Sequence, residues 1–277
     1  MLEQLKYKNH ENEVFEFGKD GIFVNTSNIH DYSWEVKKKN NKIASLDYGV
    51  VTKKLPVTII CGTEAEGMAA RNKLIEVMDK DVLAFQPGRI IIGDYYFKCY
   101  VTKSEKKNYL KTRRYMTLNL TLTSDCPYWV KETSTVFTAN GTSTINMEHN
   151  GKDFRFDYPI DYHSDILNSE INNTGFVASN FRLNINGPCT NPVVHIAGHA
   201  YQVNCNVDAG EHLTIDSAEK TIVLTARDGT KSNVFNSRNK ESYIFEKIPA
   251  GRNAVLWSGE FAFELVLLEE RSEPKWT

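Results

Sequence analysis

The chain has no long apolar run. None of its hydrophobic stretches approaches the ~20 residues that cross a bilayer, so no membrane insertion is expected. Its start, Met1-Leu-Glu-Gln-Leu-Lys6, lacks the charged-then-apolar pattern of a secretory leader, so synthesis and folding in a cytoplasm are expected. An excess of one sign of charge is also missing: 33 Lys and Arg stand against 35 Asp and Glu, a formal net charge of −2. No global basic field therefore argues for nucleic acid as the main ligand. Cysteine is sparse. Cys61, Cys99, Cys126, Cys189 and Cys205 form an odd set without C-x-x-C spacing, which argues against zinc and for buried free thiols. There is no Ser nucleophile elbow, P-loop, Rossmann glycine pattern or H-E-x-x-H. No assembled active site, cofactor or metal is expected.

What is present is apolar patterning on a globular scale. Of the 277 residues, 41% are hydrophobic and 25% charged, a balance that buries a core rather than leaving a disordered chain. The most informative stretch is the last. Asn253 to Trp257 and Glu260 to Leu268 flank Ser258-Gly259, which reads as a hairpin turn because Gly readily takes positive φ. In the second run Phe261, Phe263, Leu265 and Leu267 share one strand face, and Ala262, Val266 and Leu268 the other. A strand apolar on both faces is expected to be covered on both. Beyond it lies a charged segment with Pro274, then Trp276. Trp276 is either a loose end folding back on its own domain or a C-terminal anchor on a partner chain.

Taken in order, the first third is short strands. Val14 to Phe17 and Gly21 to Val24 flank a hairpin-like turn at Gly18-Lys-Asp20. Tyr32, Trp34 and Val36 alternate with Asp31, Ser33 and Glu35, the pattern of a half-buried strand. Lys37 to Lys42 reads as a solvated charged loop. Leu55, Val57, Ile59 and Cys61 alternate again, with Pro56 hinting at a strand start or edge. One helix follows, over about 64–79. Thr63 and Glu66 have capping-box spacing, and Ala70, Leu74, Val77 and Met78 form an apolar stripe. Val82 to Phe85 and Arg89 to Ile92 then read as strands around Gln86-Pro87-Gly88. The stretch from Lys103 to Arg114 is the most basic, with Lys106, Lys107, Lys111, Arg113 and Arg114. It is a solvated hairpin tip or a contact with a negatively charged neighbour or passing DNA. Met116, Leu118, Leu120 and Leu122 follow as an inward face.

A boundary falls near Asp125 to Val130, dividing the chain into 1–131 and 132–277. The second part carries short runs at Phe181 to Ile185, Val193 to Ile196, Tyr201 to Val207, His212 to Ile215, Thr221 to Leu224 and Tyr243 to Phe245. Turn signals separate them, as in an antiparallel β-sandwich or jelly roll. Asp157, Asp161, His163 and Asp165 crowd one segment, but without calcium-loop spacing they read as turn formers rather than metal ligands or an acid–base pair. His195 and His199 are four apart, yet Gly198 makes the intervening residues a turn, so the helical metal-binding geometry fails. The Asn-x-Ser/Thr triplets at Asn25, Asn119, Asn140 and Asn172 read as chance matches.

Several motifs resemble one family. The closing Trp257-Ser-Gly-Glu-Phe-Ala-Phe-Glu-Leu265 and Glu269-Glu-Arg-Ser-Glu-Pro-Lys-Trp276, together with Asp157-Tyr-Pro-Ile-Asp-Tyr162, Ile166-Leu-Asn-Ser169, Gly187-Pro-Cys-Thr-Asn-Pro192, Ala209 to Asp216 and Ile248-Pro-Ala-Gly251, look like the siphophage distal tail (Dit) proteins of Gram-positive hosts. The likeness is close over roughly 150–276 and weaker before. It implies a mainly β protein: an N-terminal β-sheet or split-barrel domain with one helix, and a C-terminal galectin-like antiparallel β-sandwich. It implies a non-enzymatic virion hub at the tail tip, built as a homo-hexameric ring. The implied partners are the tail tube protein, the tape-measure protein and a tail-associated fibre, lysin or receptor-binding protein, with DNA only passing through the lumen. A ring needs two different complementary patches on each subunit. Trp34, Tyr48 with the loop Ile43 to Val51, and Val57 and Ile59 in the strand Leu55 to Cys61 are the candidates for one patch. The rival readings are a carbohydrate-binding module acting on host cell-wall saccharide, with Trp257 or Tyr162 as its aromatic, and a sandwich hydrolase using Asp161.

Overall fold

A computed structural model of the chain describes residues 5–25, 27–107, 114–139 and 167–275. The fold is mainly β, with one α-helix among the described residues. The chain divides into two compact units, Met1–Lys131 with Glu270–Thr277, and Glu132–Glu269.

The first unit opens with β1 (Leu5–Lys8), β2 (Val14–Glu16), β3 (Ile22–Val24), β4 (Glu35–Lys39), β5 (Lys42–Asp47) and β6 (Val51–Ile60). Helix α1 (Glu64–Ala84) follows, then β7 (Gly88–Ile92), β8 (Tyr95–Lys106), β9 (Tyr115–Ser124) and the start of β10 (Trp129–Phe137). Strand β8 is the pivot. Its first half pairs with β7 and with β10 (Trp129 opposite Phe97); its second half pairs with β9 from Tyr100 onward, with an irregularity between Val101 and Lys103 inside that ladder. Such a bulge bends a strand and increases its local twist. The remaining ladders are β2–β1–β7 and β9–β6–β3, all antiparallel. The turn at Gly18 to Asp20 therefore joins strands with different partners, not a hairpin. Pro56 lies inside β6, next to the end of β3, and its carbonyl accepts from Asn25 N–H at 2.9 Å. A proline is tolerated there because the ladder no longer asks for its missing N–H.

Alternation along β6 and β9 turns Leu55, Val57 and Ile59, and Met116, Leu118, Leu120 and Leu122, into one buried layer. The apolar stripe of α1 covers it: Ala70, Leu74, Val77 and Met78 are all buried in the same cluster. Both halves of the capping box form. The Thr63 hydroxyl accepts from Glu66 N–H at 3.2 Å, and the Glu66 carboxylate accepts from Thr63 N–H at 3.1 Å. The helix is longer than the 64–79 read from the stripe. Val82 to Ala84 are its last turn, not a strand, and Phe85 caps it in the left-handed region, φ 53°. The apolar Val82-Leu83 pair mimicked a strand; the helix ends only where Pro87 disfavours further α-conformation.

One polar device ties α1 to the N-terminal strands. Asp81 is fully buried, and its carboxylate accepts from Tyr7 O–H at 2.5 Å and His10 N–H at 2.8 Å, with His10 Nδ1 2.6 Å away. Burial, first of all, raises the Tyr7 phenol well above its usual value, so it stays a donor. Gly88 is the residue that fits beside this group, since a Cβ there would meet Asp81 Oδ2 at 2.2 Å.

In the second unit, the rest of β10 is followed by β11 (Leu167–Asn173), β12 (Asn180–Asn186), β13 (Cys189–Thr190), β14 (Val193–Ile196), β15 (His199–Gln202) and β16 (Asn206–Val207). Then come β17 (His212–Asp216), β18 (Thr221–Thr225), β19 (Lys231–Asn233), a 3₁₀ turn (Phe235–Ser237), β20 (Gly251–Trp257) and β21 (Phe263–Arg271). One sheet runs β19–β18–β17–β12–β21–β10; a second runs β11–β20–β14–β15. Their inner faces share one core, with Leu183, Ile185, Leu213, Phe263 and Leu265 from the first and Ile171, Val194, Tyr201, Val255 and Trp257 from the second. This is a two-sheet antiparallel sandwich.

Ser258-Gly259 is not a hairpin turn. Strands β20 and β21 lie in different sheets, so Ser258 to Ala262 form an arch between layers. Trp257 and Phe261 hold the arch from inside: both are buried, and the indole N–H donates to Phe261 O at 3.2 Å. Both faces of β21 are buried, as its double apolar pattern predicts: Leu265 and Leu267 on one, Val266 and Leu268 on the other. The run Tyr201 to Val207 is split between β15 and β16. Tyr243 to Phe245 is a turn that buries Ile244 and Phe245 without strand pairing.

Two outcomes are expected. Asp81→Ala strands the Tyr7 hydroxyl and the His10 amide in a dry site, and is expected to lower unfolding stability by about 3 kcal/mol, read as a lower urea midpoint. In the second unit Ser134 donates to Glu264 at 2.5 Å and Asn184 at 2.9 Å. These bonds, with Arg182 nearby, hold the Glu264 carboxyl below its usual value. A depressed folded-state pKa contributes stability above the unfolded value and loses it as pH falls through the folded one. Glu264→Gln is therefore expected to lower the melting temperature at neutral pH and to flatten its fall in acid below about pH 4.5.

Candidate assembly interface

Among the described residues, strands β4 and β5 pair only with each other. The turn between them is Asn40-Asn41, both at positive φ, 51° and 60°, which is the two-residue turn that matches strand twist and that Asn tolerates. The register places Val36 opposite Leu46, Glu35 opposite Asp47 and, beyond an irregularity at Lys37 and Lys38, Lys38 opposite Ile43. Alternation then separates two faces. One carries Trp34, Val36, Leu46 and Ile43. The other carries Glu35, Lys37, Asp47 and Lys42, with Lys37 and Asp47 paired at 2.8 Å. Among the described residues nothing buries the apolar face: Trp34 is 42% exposed, Leu46 51% and Ile43 64%. The half-buried strand expected from the alternation of Tyr32, Trp34 and Val36 is not found: the strand begins only at Glu35, Asp31 to Trp34 lie outside it, and nothing among the described residues buries the stretch. The Lys37 to Lys42 run, in turn, is the tip of a hairpin rather than a loop.

The base of this hairpin is built firmly. Trp34 lies 3.9 Å from Tyr48 between ring centroids, and Tyr48 meets Tyr128 edge-on at 4.9 Å. The Tyr48 hydroxyl is 2.6 Å from Ser272 Oγ. Lys53 is buried on β6 and donates to the carbonyls of Ile29 (2.7 Å) and Asp31, fixing the approach to Tyr32. Burial holds the Lys53 ammonium below its usual pKa, against the pull of Asp31 and Glu273.

The other residues singled out in the sequence fall in different places. Val57 and Ile59 point into the core of the first unit and offer no side-chain surface. Lys106, Lys107 and Arg114 are exposed at the ends of β8 and β9; Lys111 and Arg113 lie outside the described residues, as do Trp276, Asp157, Tyr162, Asp161, His163 and Asp165. Trp257 is buried and cannot serve as an exposed sugar platform. His195 and His199 belong to the β14–β15 hairpin, opposite Ala200 and Ile196, and His199 Nε2 lies 2.9 Å from Tyr243 O. Among the described residues no cluster of His, Cys, Asp and Glu could hold a metal. All five cysteines are free, and burial pushes the Cys99 thiol up to about 12. Sequence reading missed the apolar knob at the end of α1, where Leu83 and Phe85 are almost fully exposed. It also missed Val177 on the loop after β11, which Asn173 pins by donating to Val177 O and Ile248 O. An apolar pair amid Thr, Gly and Ala at 174–178 was the available signal.

No protein-family model and no curated protein matches the chain. Solved structures do. The SPP1 Dit protein, described as a paradigm of hub adsorption apparatus in Gram-positive infecting phages, superposes with a TM-score of 0.56 at 9% identity, covering 96% of this chain and 99% of that one. Chains of the phage P2 baseplate in its activated conformation, with calcium or with strontium, give TM-scores of 0.64 and 0.65 at 10% identity, each covering 99% of this chain and 100% of the other. The chain has the Dit fold. The match runs over nearly the full length of both partners, so both compact units of this chain fall within it.

Within this Dit fold the knob at Phe85 violates a local rule, since a bulky residue at a left-handed helix cap is strained by about 1–2 kcal/mol relative to glycine. Phe85→Gly is expected to raise unfolding stability by about 1 kcal/mol, net of its stacking on Tyr100. A differential-scanning calorimetry comparison of the two proteins checks the sign.

Proposed function

We propose that the protein is a structural hub of a phage tail tip or baseplate, located in the virion. It joins the tail tube to the receptor-binding or tail-fibre apparatus as a homo-hexameric ring and catalyses no reaction. The observation that carries this reading is the full-length likeness to phage hub and baseplate proteins. The hairpin supports it physically. A two-stranded ribbon with an open apolar face is marginal in water on its own, and burying each large side chain stabilises by about 1.5–3 kcal/mol. A ring of copies provides such cover, because each subunit presents two different patches. In this reading Trp34 and Tyr48 belong to the interface, whereas Val57 and Ile59 support it from within the core. The tube, tape-measure and fibre or receptor-binding proteins are the proposed partners, and DNA passes through the lumen.

Negative-stain imaging and light scattering of the purified protein, alone and with its tail-tube partner, test the ring. A protein that stays monomeric in both settings contradicts it. Leu46→Glu is expected to leave monomer stability within about 0.5 kcal/mol, as surface changes usually do, while abolishing assembly by light scattering.

A further inference from the structure

The hairpin is one patch, and the first unit also has a cleft suited to receive it. The cleft measures about 550 Å³ and lies between the N-terminal turn of α1 and the ends of β3 and β6. Its apolar lining is Ile60, Cys61 and Ala69; Asp20, Glu66 and Lys73 are its charged groups. The apolar surface continues onto the outer sheet face, where Ile60 stands opposite Tyr115 and both are exposed. Gly21 keeps the floor low, since a Cβ there would meet Ile60 O at 2.2 Å.

Charge selects the occupant. Two carboxylates, Asp20 and Glu66, line the cleft against one ammonium, Lys73, and Glu64 adds a third carboxylate on the same first helical turn as Glu66. The hairpin end carries Lys38, Lys39 and Lys42 beside the exposed Ile43. An apolar face with a basic tip meets an apolar cleft with an acidic border, which is the sign relation that steers and registers an interface. Hairpin and cleft are also different surfaces, as a head-to-tail contact requires.

We propose that the β4–β5 hairpin of one copy seats its apolar face in the α1–β6 cleft of the next copy, with the lysine tip against Asp20, Glu64 and Glu66. This rests on the ring reading above and names the acceptor surface within it. A strand of six residues reaches about 20 Å, and among the described residues β4 and β5 pair with no other strand of their own copy.

The cleft holds a native thiol, which makes the contact testable in the full-length chain. Ile43 is exposed, so Ile43→Cys is expected to fold. Under mild oxidation with copper–phenanthroline, this variant is expected to form covalent multimers on a non-reducing gel, lost on reduction and lost when Cys61→Ser is added. In parallel, Lys38→Glu with Lys39→Glu is expected to weaken assembly about tenfold or more, equivalent to about 1.4 kcal/mol, and adding Asp20→Lys with Glu64→Lys to recover it. Multimers by light scattering without any Cys61-dependent cross-link would overturn this seating and leave the ring standing. Monomers under every condition would overturn both.

Discussion

An apolar sheet face must be covered, and the chain solves that problem in two ways, with one exception. In the first unit, helix α1 lays Ala70, Leu74, Val77 and Met78 over the layer formed by β6 and β9. In the second, two sheets cover one another, with Phe263 and Leu265 against Val255 and Trp257. The hairpin β4–β5 is the exception. Its apolar side is formed as regularly as the others, with a favourable Asn-Asn turn and a salt bridge on the opposite side, yet it faces solvent. Burial drives folding throughout the molecule, so a face patterned for burial and left open is the feature on which the proposed assembly rests.

The rigid parts around that face explain how it can stay open without collapsing. The Trp34–Tyr48–Tyr128 stack and the Tyr48–Ser272 contact hold its base, and Lys53 fixes the preceding loop through two carbonyls. Asp81, far from the hairpin in sequence, secures α1 to β1 through Tyr7 and His10. Buried polar groups of this kind specify one arrangement provided each is satisfied. The thiols play no comparable part: Cys99 is sealed in the core, and the others are half-buried without disulfides.

Much of this was legible in residues whose chemistry is local. Thr63 and Glu66 announce a helix start because the capping bonds close within three residues. The inward faces of β6 and β9 follow from a period of two. Long-range choices were not legible. Ser258-Gly259 has the chemistry of a tight turn, but Trp257 and Phe261 fill the space between two sheets and make it an arch. Val82 to Phe85 has the composition of a strand and ends a helix, because continuing an existing helix needs no new nucleus. At the hairpin, alternation of Trp34 and Val36 suggested a half-buried strand, yet the strand starts only at Glu35 and stays exposed, because burial depends on neighbours that a period of two does not report. Val57 and Ile59 were indistinguishable from surface candidates by sequence, since pairing on both sides and a covering helix decide their burial.

The second unit is entered at Glu132, within β10, and left at Glu269, within β21, and these two strands are neighbours in one sheet. A module whose entrance and exit stand side by side can be exchanged for another with the same footprint, because its host keeps its own core and its own ends. The sandwich thus has the layout of an inserted cassette, entered and left on adjacent strands while the part bearing α1 and the hairpin keeps a core of its own.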